Sequence, residues 1–377
     1  MKVFMFPGQG SQAKGMGREL FDRFVHLADE ASEVLGYSLR SLCVDDPRGE
    51  LKQTRFTQPA LYVVNALSYY ARIEDGASAP NFLIGHSLGE FNALLAAGCF
   101  DFVTGLKLVQ YRGELMARVS NGAMAAIVNA DKPTIERILA ENQLTKVSLA
   151  NYNTPSQIVI SGAADEIAKA QALFSQNPMR YYPLNTSGAF HSSFMRPARE
   201  EFARFLKSFR LNAPQVPVIS NVSARPYELS GIDECLANQI DSSVRWSEGV
   251  QYLLGIAERC GESVEFEELG HGDVLSRLVD AIRQQTPQGV AAPAIATERG
   301  AIGDASGRTA STESRTAEDK VAEWNRRYAV GTRVTSRLPD YRDLTTRTEA
   351  MLLFKHRAAV YMNGYHGYFD LDDLTAA

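Results

Sequence analysis

Continuous apolar runs and amphipathic stretches take turns along most of this chain, and their alternation sets out its elements. Val3-Phe4-Met5-Phe6 and Phe82-Leu83-Ile84 are apolar runs too short for helices, so they read as buried strands. Apolar positions at helical spacing predict helices over about residues 16–35, and Leu39–Leu42 forms a shorter apolar piece. Thr57-Gln58-Pro59 reads as a helix start, with threonine as cap and proline in the first turn. Its apolar face continues through Leu61, Val64, Leu67 and Tyr70, and Phe102–Ser120 reads as a further helix. The order β-α-α-β-α-α with buried strands predicts a three-layer α/β sandwich.

From Gly122 the texture changes. Strand (Ala123–Val128), helix (Lys132–Glu141), strand (Lys146–Ala150), strand (Gln157–Ser161), helix (Asp165–Ser175) and strand (Arg180–Leu184) follow in turn. That β-α-β-β-α-β order predicts a ferredoxin-like α+β subdomain, about residues 122–187, inserted into the larger domain. A cleft between the two is a natural place for a substrate. The chain then returns through Gly188–Met195 and a long helix to about Phe209, a buried strand at Val216–Ser220, a helix at Trp246–Cys260, a strand at Val264–Leu269 and a helix to about Gln285.

Residues 286–319 are dominated by proline, glycine, alanine, serine and threonine, which predicts a mobile linker. Beyond it, residues 320–377 hold short strand patterns at Thr332–Ser336, Glu349–Phe354, Ala358–Met362 and Tyr368–Leu371. Trp324, Tyr328, Tyr361, Tyr365, Tyr368 and Phe369 are its candidate core, so a small β-rich C-terminal module is expected.

Composition narrows the function classes. The 377 residues are 45% hydrophobic and 22% charged, as in an ordinary globular protein, and the net charge of -5 argues against a nucleic-acid surface. No apolar run is long enough to span a membrane, and the first residues lack the hydrophobic core of a secretory signal, so a cytoplasmic protein is expected. Cys43, Cys99, Cys235 and Cys260 are scattered with no C-x-x-C pair, which predicts reduced, mostly buried thiols and no metal site.

The candidate chemistry centres on Gly85-His86-Ser87-Leu88-Gly89-Glu90, a G-x-S-x-G motif between a strand pattern and a helix pattern. Flanking glycines permit the sharp turn of a nucleophile elbow, which puts Ser87 Oγ at a helix N-terminus where negative charge is favoured. An ordinary tight turn is the competing reading. A serine nucleophile needs a base. Of six histidines, His86 adjoins the serine and would point elsewhere, His26 lies in an amphipathic helix, and His356 and His366 belong to the C-terminal module. His191 and His271 remain, and His191 stands where the inserted subdomain rejoins the main domain, facing the expected cleft. No aspartate or glutamate is singled out as a third member; a backbone carbonyl would also fix the imidazole tautomer.

Two further features stay open on the residues alone. Pro7-Gly8-Gln9-Gly10-Ser11-Gln12 either presents backbone N–H groups to an anion or is a tight strand-to-helix turn, and its spacing fits no phosphate-loop motif. Arg112 interrupts an apolar helix face; its planar fork suits a carboxylate, the alternative being a surface ion pair with Glu114.

Together these motifs resemble malonyl-CoA:acyl-carrier-protein transacylases and the acyltransferase domains of polyketide synthases. The resemblance covers about residues 1–285. It rests on Phe6–Gln12, Thr57-Gln58-Pro59-Ala60-Leu61, Gly85–Glu90, Arg112 with Met116, Asn153-Thr154-Pro155 before Gln157–Gly162, and Gly188-Ala189-Phe190-His191-Ser192. It implies an α/β hydrolase-like core, with Ser87 acylated, His191 as general base, and the backbone N–H groups of Gln9 and Leu88 as oxyanion hole. Arg112 would clamp the malonyl carboxylate. A glutamine carbonyl replaces the triad acid in the family, and Gln239 looks like that residue, although the family's usual proline is absent at Ser242-Ser243.

Phe190, by analogy with related synthase domains, would favour malonyl over methylmalonyl, and Met116 and Asn153 match positions near the pocket. The Gly-Ala-Phe-His wording and the tail (Trp324–Tyr328, Gly364–Phe369) resemble free-standing acyltransferases that serve polyketide synthase modules in trans. The implied substrates are malonyl-CoA and a phosphopantetheinylated acyl carrier protein, with no bound cofactor or metal, no nucleic acid and no membrane. The enzymatic alternative is an acyl hydrolase that strips stalled acyl groups from carrier proteins.

Overall fold

Apolar residues at both odd and even positions of β1 (Lys2–Phe6) require cover on both faces of the strand, and the fold supplies it. This structure is a computed structural model, and it describes residues 1–186, 188–228, 231–286, 316–336, 344–353, 357–362, 368–371 and 374–376. The chain divides into two units, Met1–Tyr69 with Ala79–Ala292, and Tyr70–Ser78 with Pro293–Ala377. Residues 287–315 of the linker expected at 286–319, together with His356, Tyr365 and His366, lie outside the described residues.

In the first unit β1 leads through α1 (Arg18–Arg23), α2 (Val25–Leu35) and α3 (Leu39–Val44) to the long α4 (Thr54–Glu74). β2 (Phe82–Gly85), α5 (Gly89–Ala96) and α6 (Phe102–Arg118) follow. The α4 helix begins three residues before the expected cap. Phe56 and Thr57 N–H both bond the Gln53 carbonyl, and the Thr57 hydroxyl bonds back to the carbonyls of Leu51 and Gln53. Pro59 therefore sits inside the helix rather than in its first turn, where it removes one ladder bond.

A second region is built from β3 (Gly122–Val128), α7 (Lys132–Glu141), β4 (Val147–Thr154), β5 (Gln157–Ala163), α8 (Ala164–Phe174) and β6 (Arg180–Pro183). Its sheet is antiparallel in the order β4-β5-β3-β6. Ala125 and Ile127 of β3 and Ile158 and Ile160 of β5 pack with Ile135, Leu139, Ile167 and Phe174 of the two helices, as period-2 strands on period-3.6 helices require. The chain returns through a 3-10 turn (Ser193–Met195), α9 (Arg196–Leu206) and β7 (Val218–Ile219). Then come α10 (Ile232–Gln239), α11 (Trp246–Cys260), β8 (Glu265–Glu268) and α12 (Val274–Gln285). No periodic signal had marked α10.

The parallel sheet runs β7-β2-β1-β8. Val3, Met5, Ile84 and Ile219 pack with Trp246, Val250, Leu253, Val279 and Ile282 on one face. The alternate residues Phe4 and Phe6 meet Tyr69 of α4 on the other. The antiparallel sheet is tied to the segment between α10 and α11: Tyr152 and Val244 N–H bond the carbonyls of Val244 and Ala150. That bridge falls where β4 is irregular, between Leu149 and Asn151.

In the second unit α13 (Ala317–Arg327) starts within the span expected to be linker, held by a capping box between Thr316 and Asp319. Two three-stranded sheets follow: β9 (Arg333–Ser336) between β10 (Leu344–Thr345) and β14 (Leu374–Ala376), and β12 (Arg357–Tyr361) between β11 (Met351–Leu353) and β13 (Tyr368–Asp370). Among the described residues the core is mostly aliphatic, with Val334, Leu344, Val360, Met362, Leu371 and Leu374 around Trp324; of the expected aromatic set, Tyr328 is partly buried against it.

Candidate active site

Glycine is a steric necessity on both sides of Ser87. A Cβ on Gly85 would lie 2.0 Å from the Gly89 carbonyl carbon, and one on Gly89 would lie 1.9 Å from the Phe6 carbonyl oxygen. Between them Ser87 takes a left-handed backbone, φ 51°, a conformation that costs a non-glycine residue about 1–3 kcal/mol and persists where surrounding contacts enforce it. Asn221, two residues past β7, does the enforcing. Its Oδ1 accepts from Ser87 N–H at 2.7 Å, its Nδ2 donates to the Gly85 carbonyl at 2.6 Å, and its own N–H donates to Glu90 Oε1 at 2.9 Å. The turn after β1 lies against the elbow, since a Cβ on Gly8 would be 2.3 Å from the His86 carbonyl oxygen.

Ser87 Oγ is 2.8 Å from His191 Nε2. His191 also holds a positive φ of 55°, and its Nδ1 faces two carbonyls, Gln239 O at 2.9 Å and Ser242 O at 3.1 Å. Two acceptors on Nδ1 place the proton there, so the Nε2 lone pair is left for the serine hydroxyl. Burial, and after it the Arg112 charge, hold His191 at about 3, so the ring is neutral at physiological pH.

Arg112 is 1% exposed, which removes the surface pair with Glu114. Its Nη1 donates to Gln58 Oε1 at 2.7 Å; its Nη2 donates to Gln239 Oε1 at 2.7 Å and to Ser87 Oγ at 3.2 Å. Arg112 Nε has no hydrogen-bond partner among the described residues. Burial lowers the guanidinium to about 10, against the opposing pull of Glu90, so it stays charged at neutral pH. A buried cation held by amide oxygens, with no carboxylate bonded to it among the described residues, keeps attraction for an arriving anion.

The remaining expected residues fall around this centre. Gln239, at the end of α10, gives its carbonyl to His191, while its Nε2 donates to Ser87 O at 2.7 Å and to Glu90 Oε2 at 2.6 Å. Leu88 follows Ser87 in the elbow and Gln9 lies on the turn after β1, and neither backbone N–H has a hydrogen-bond partner among the described residues. Ser11 closes the turn by bonding back to the Gly8 carbonyl. Met116 is buried and its Sδ accepts from Gln58 Nε2 at 3.3 Å. Phe190 is buried beside His191. Asn153 Oδ1 pairs with His86 Nε2 at 2.9 Å, which turns His86 away from the serine, as anticipated, and against Trp246.

A groove of about 740 Å³, lined by residues including Val147, Tyr152, His191 and Ser242, reaches the histidine but not Ser87 or Arg112. His26 is exposed and His271 half-buried, with no part in the centre. Cys43 and Cys99 are buried, Cys235 half-buried and Cys260 exposed, all free.

Four residues of the centre had carried no assigned role: Gln58, Glu90, Asn221 and Tyr227. Gln58 and Glu90 lie inside motifs, whereas Asn221 and Tyr227 are more than 130 positions from the residues they serve. Among the described residues no group of histidines, cysteines and carboxylates could hold a metal ion, and no helix is long and apolar enough to cross a membrane.

The comparisons with known proteins agree in kind. The chain is 49% identical over 288 residues to the polyketide biosynthesis malonyl CoA-acyl carrier protein transacylase BaeC of Bacillus velezensis, covering 76% of this chain and 98% of that one. A crystal structure of a malonyl CoA-acyl carrier protein transacylase from Burkholderia pseudomallei is 66% identical, with TM-score 0.75, covering 76% of this chain and 99% of that chain. A malonyl-transacylase solved in complex with its type II PKS acyl-carrier protein is 34% identical, with TM-score 0.70, covering 75% of this chain and 93% of that one. The acyl transferase domain profile matches residues 3–312. With an α/β fold, a serine on a strained elbow and a histidine in hydrogen-bond reach of it, this chain belongs to the acyl transferase domain family.

Proposed function

We propose that the chain is a malonyl-CoA:acyl-carrier-protein S-acyltransferase working through a Ser87 acyl-enzyme. The observation that carries this is a buried, carboxylate-free arginine 3.2 Å from the oxygen of a serine that is itself 2.8 Å from a neutral histidine. Malonyl-CoA places its carboxylate on Arg112. Ser87 Oγ attacks the thioester carbonyl as its proton passes to His191 Nε2; the Oγ–C bond forms, the C–S bond breaks, and the coenzyme A thiolate leaves with the proton. The phosphopantetheine thiol of the carrier protein then attacks the ester by the same path in reverse.

The backbone N–H groups of Gln9 and Leu88 act as oxyanion hole, supported by their lack of other partners. The Gln239 carbonyl stands in for a triad acid. The malonyl carboxylate also cancels the Arg112 charge that helps hold His191 at about 3, so substrate binding raises the basicity of its own catalyst. Phe190 and Met116 shape the acyl pocket, and Asn153 contributes by holding His86.

Residues 1–285 form the acyltransferase domain, a three-layer core with a ferredoxin-like insertion at about 122–187, followed by a linker and a small C-terminal module. The protein serves a polyketide synthase in trans, in the cytoplasm, with no bound cofactor. Arg112 disfavours the hydrolase reading, because removal of uncharged stalled chains has no use for a buried cation. Intact-mass analysis after exposure to a panel of acyl-CoAs tests the proposal. Malonyl-CoA should add one malonyl group to the native enzyme and none to Ser87→Ala, and the adduct should pass to a holo carrier protein. An adduct surviving on Ser87→Ala, or release only as free malonate, would overturn it.

A further inference from the structure

Glu90 is a carboxylate with no solvent exposure, and the serine mechanism does not use it. It stands in the first turn of α5, where negative charge is favoured. Its Oε1 accepts from Asn221 N–H at 2.9 Å and the Tyr227 hydroxyl at 2.8 Å; its Oε2 accepts from Gln239 Nε2 at 2.6 Å. The Gln239 amide is thereby saturated in one sense only. Its two N–H groups go to Glu90 and the Ser87 carbonyl, and its oxygen takes Arg112 Nη2. A flipped amide would turn oxygen toward a carboxylate and N–H toward a guanidinium, both repulsive.

The geometry points to Glu90 as a positioning residue for malonyl loading: its charge fixes the Gln239 amide, and Gln239 in turn orients the Arg112 fork and carries the carbonyl that holds His191. This rests on the acyltransferase reading above and names an acid for a dyad that otherwise lacks one, set two hydrogen bonds away from the guanidinium. The charged and titratable groups facing Glu90 are Arg112 from α6, Tyr227 from the loop after β7 and Cys235 from α10. Burial raises Glu90 to about 7, against the opposing pull of its three donors and Arg112. Tyr227 and Cys235 are pushed upward and His191 lies at about 3, so none of these three changes charge near neutrality. Protonating Glu90 removes the anion that orders the amide, so loading should rise with pH through the Glu90 midpoint.

The test is single-turnover malonylation of the full chain by malonyl-CoA, quenched and read by intact mass from about pH 5.5 to 8.5. The native enzyme should show a limb near 7, falling about 10-fold or more on the acid side, the worth of a hydrogen bond to a charged group. Tyr227→Phe removes one donor that favours the carboxylate, so it should move the midpoint to higher pH. Glu90→Gln should give a flat profile about 10- to 100-fold below the native plateau. A flat native profile, a midpoint unmoved by Tyr227→Phe, or a native limb retained in Glu90→Gln overturns the inference; should Glu90→Gln fail to fold, Tyr227→Phe decides. Ser87→Ala run alongside separates the two levels. Label that persists on it overturns the serine reading, whereas Ser87-dependent label with a flat profile overturns only the role of Glu90.

Discussion

The serine side and the arginine side of this site are built by different means. On the serine side the main chain does the work: two glycines too crowded for a Cβ, a left-handed φ, N–H groups with no partner among the described residues and a carbonyl behind the histidine. On the arginine side the work falls to side chains, with amides from α4 and α10 converging on one guanidinium from α6. On the proposed function, reactivity is thus stored in backbone geometry, which tolerates almost no change, and acyl preference in side chains, which can be exchanged singly. On that same function, a nucleophile elbow alone would serve any acyl group, and the buried cation makes the site ask for a carboxylate.

Three substitutions test that division, in falling order of effect. Gly85→Ala forces a Cβ to within 2.0 Å of the Gly89 backbone, with no side chain free to yield. It should cost about 4 kcal/mol or more of stability in a denaturant titration and abolish acylation with every acyl-CoA. A soluble, active Gly85→Ala enzyme would break the comparison at its stronger end. Arg112→Ala should slow malonyl loading about 100-fold, roughly the loss of hydrogen bonds to a charge, yet leave Ser87 able to accept uncharged acyl groups. Competition between malonyl-CoA and acetyl-CoA reads this directly, and full malonyl preference in the variant would return specificity to the backbone. Phe190→Ser should be mildest, admitting an α-methyl group and shifting the methylmalonyl-to-malonyl ratio by the equivalent of about 1–3 kcal/mol. An unchanged ratio would place the size limit on Met116 or another wall.

The same division explains what could be read from residues alone. Ser87, its glycines and His191 announce themselves because the motif is local and histidines are few. Arg112 stands out as a charge on an apolar face, yet only its burial removes the surface-pair reading. Asn221 was invisible: it follows a two-residue strand, lies 134 positions from the amide it braces, and is an ordinary loop asparagine in composition. Tyr227 and the orienting part of Glu90 are hidden for the same reason, because a buried hydrogen bond between distant segments leaves no periodic trace. The β-α-β-β-α-β order was legible because alternation and helical spacing are both strong there. The start of α4 was not, because Pro59 advertises a first turn that capping by Gln53 places earlier.

One consequence follows for any genetic dissection of the dyad. The partner of His191 Nδ1 is the main-chain carbonyl of residue 239, seconded by that of residue 242. Codon changes alter side chains and leave carbonyls in place, so an alanine scan cannot remove the partner of His191 Nδ1. Substitution of Gln239 will register at Arg112 and Ser87 before it registers at the base. The group that sets the histidine tautomer is therefore inherited with the fold itself, out of reach of point mutation.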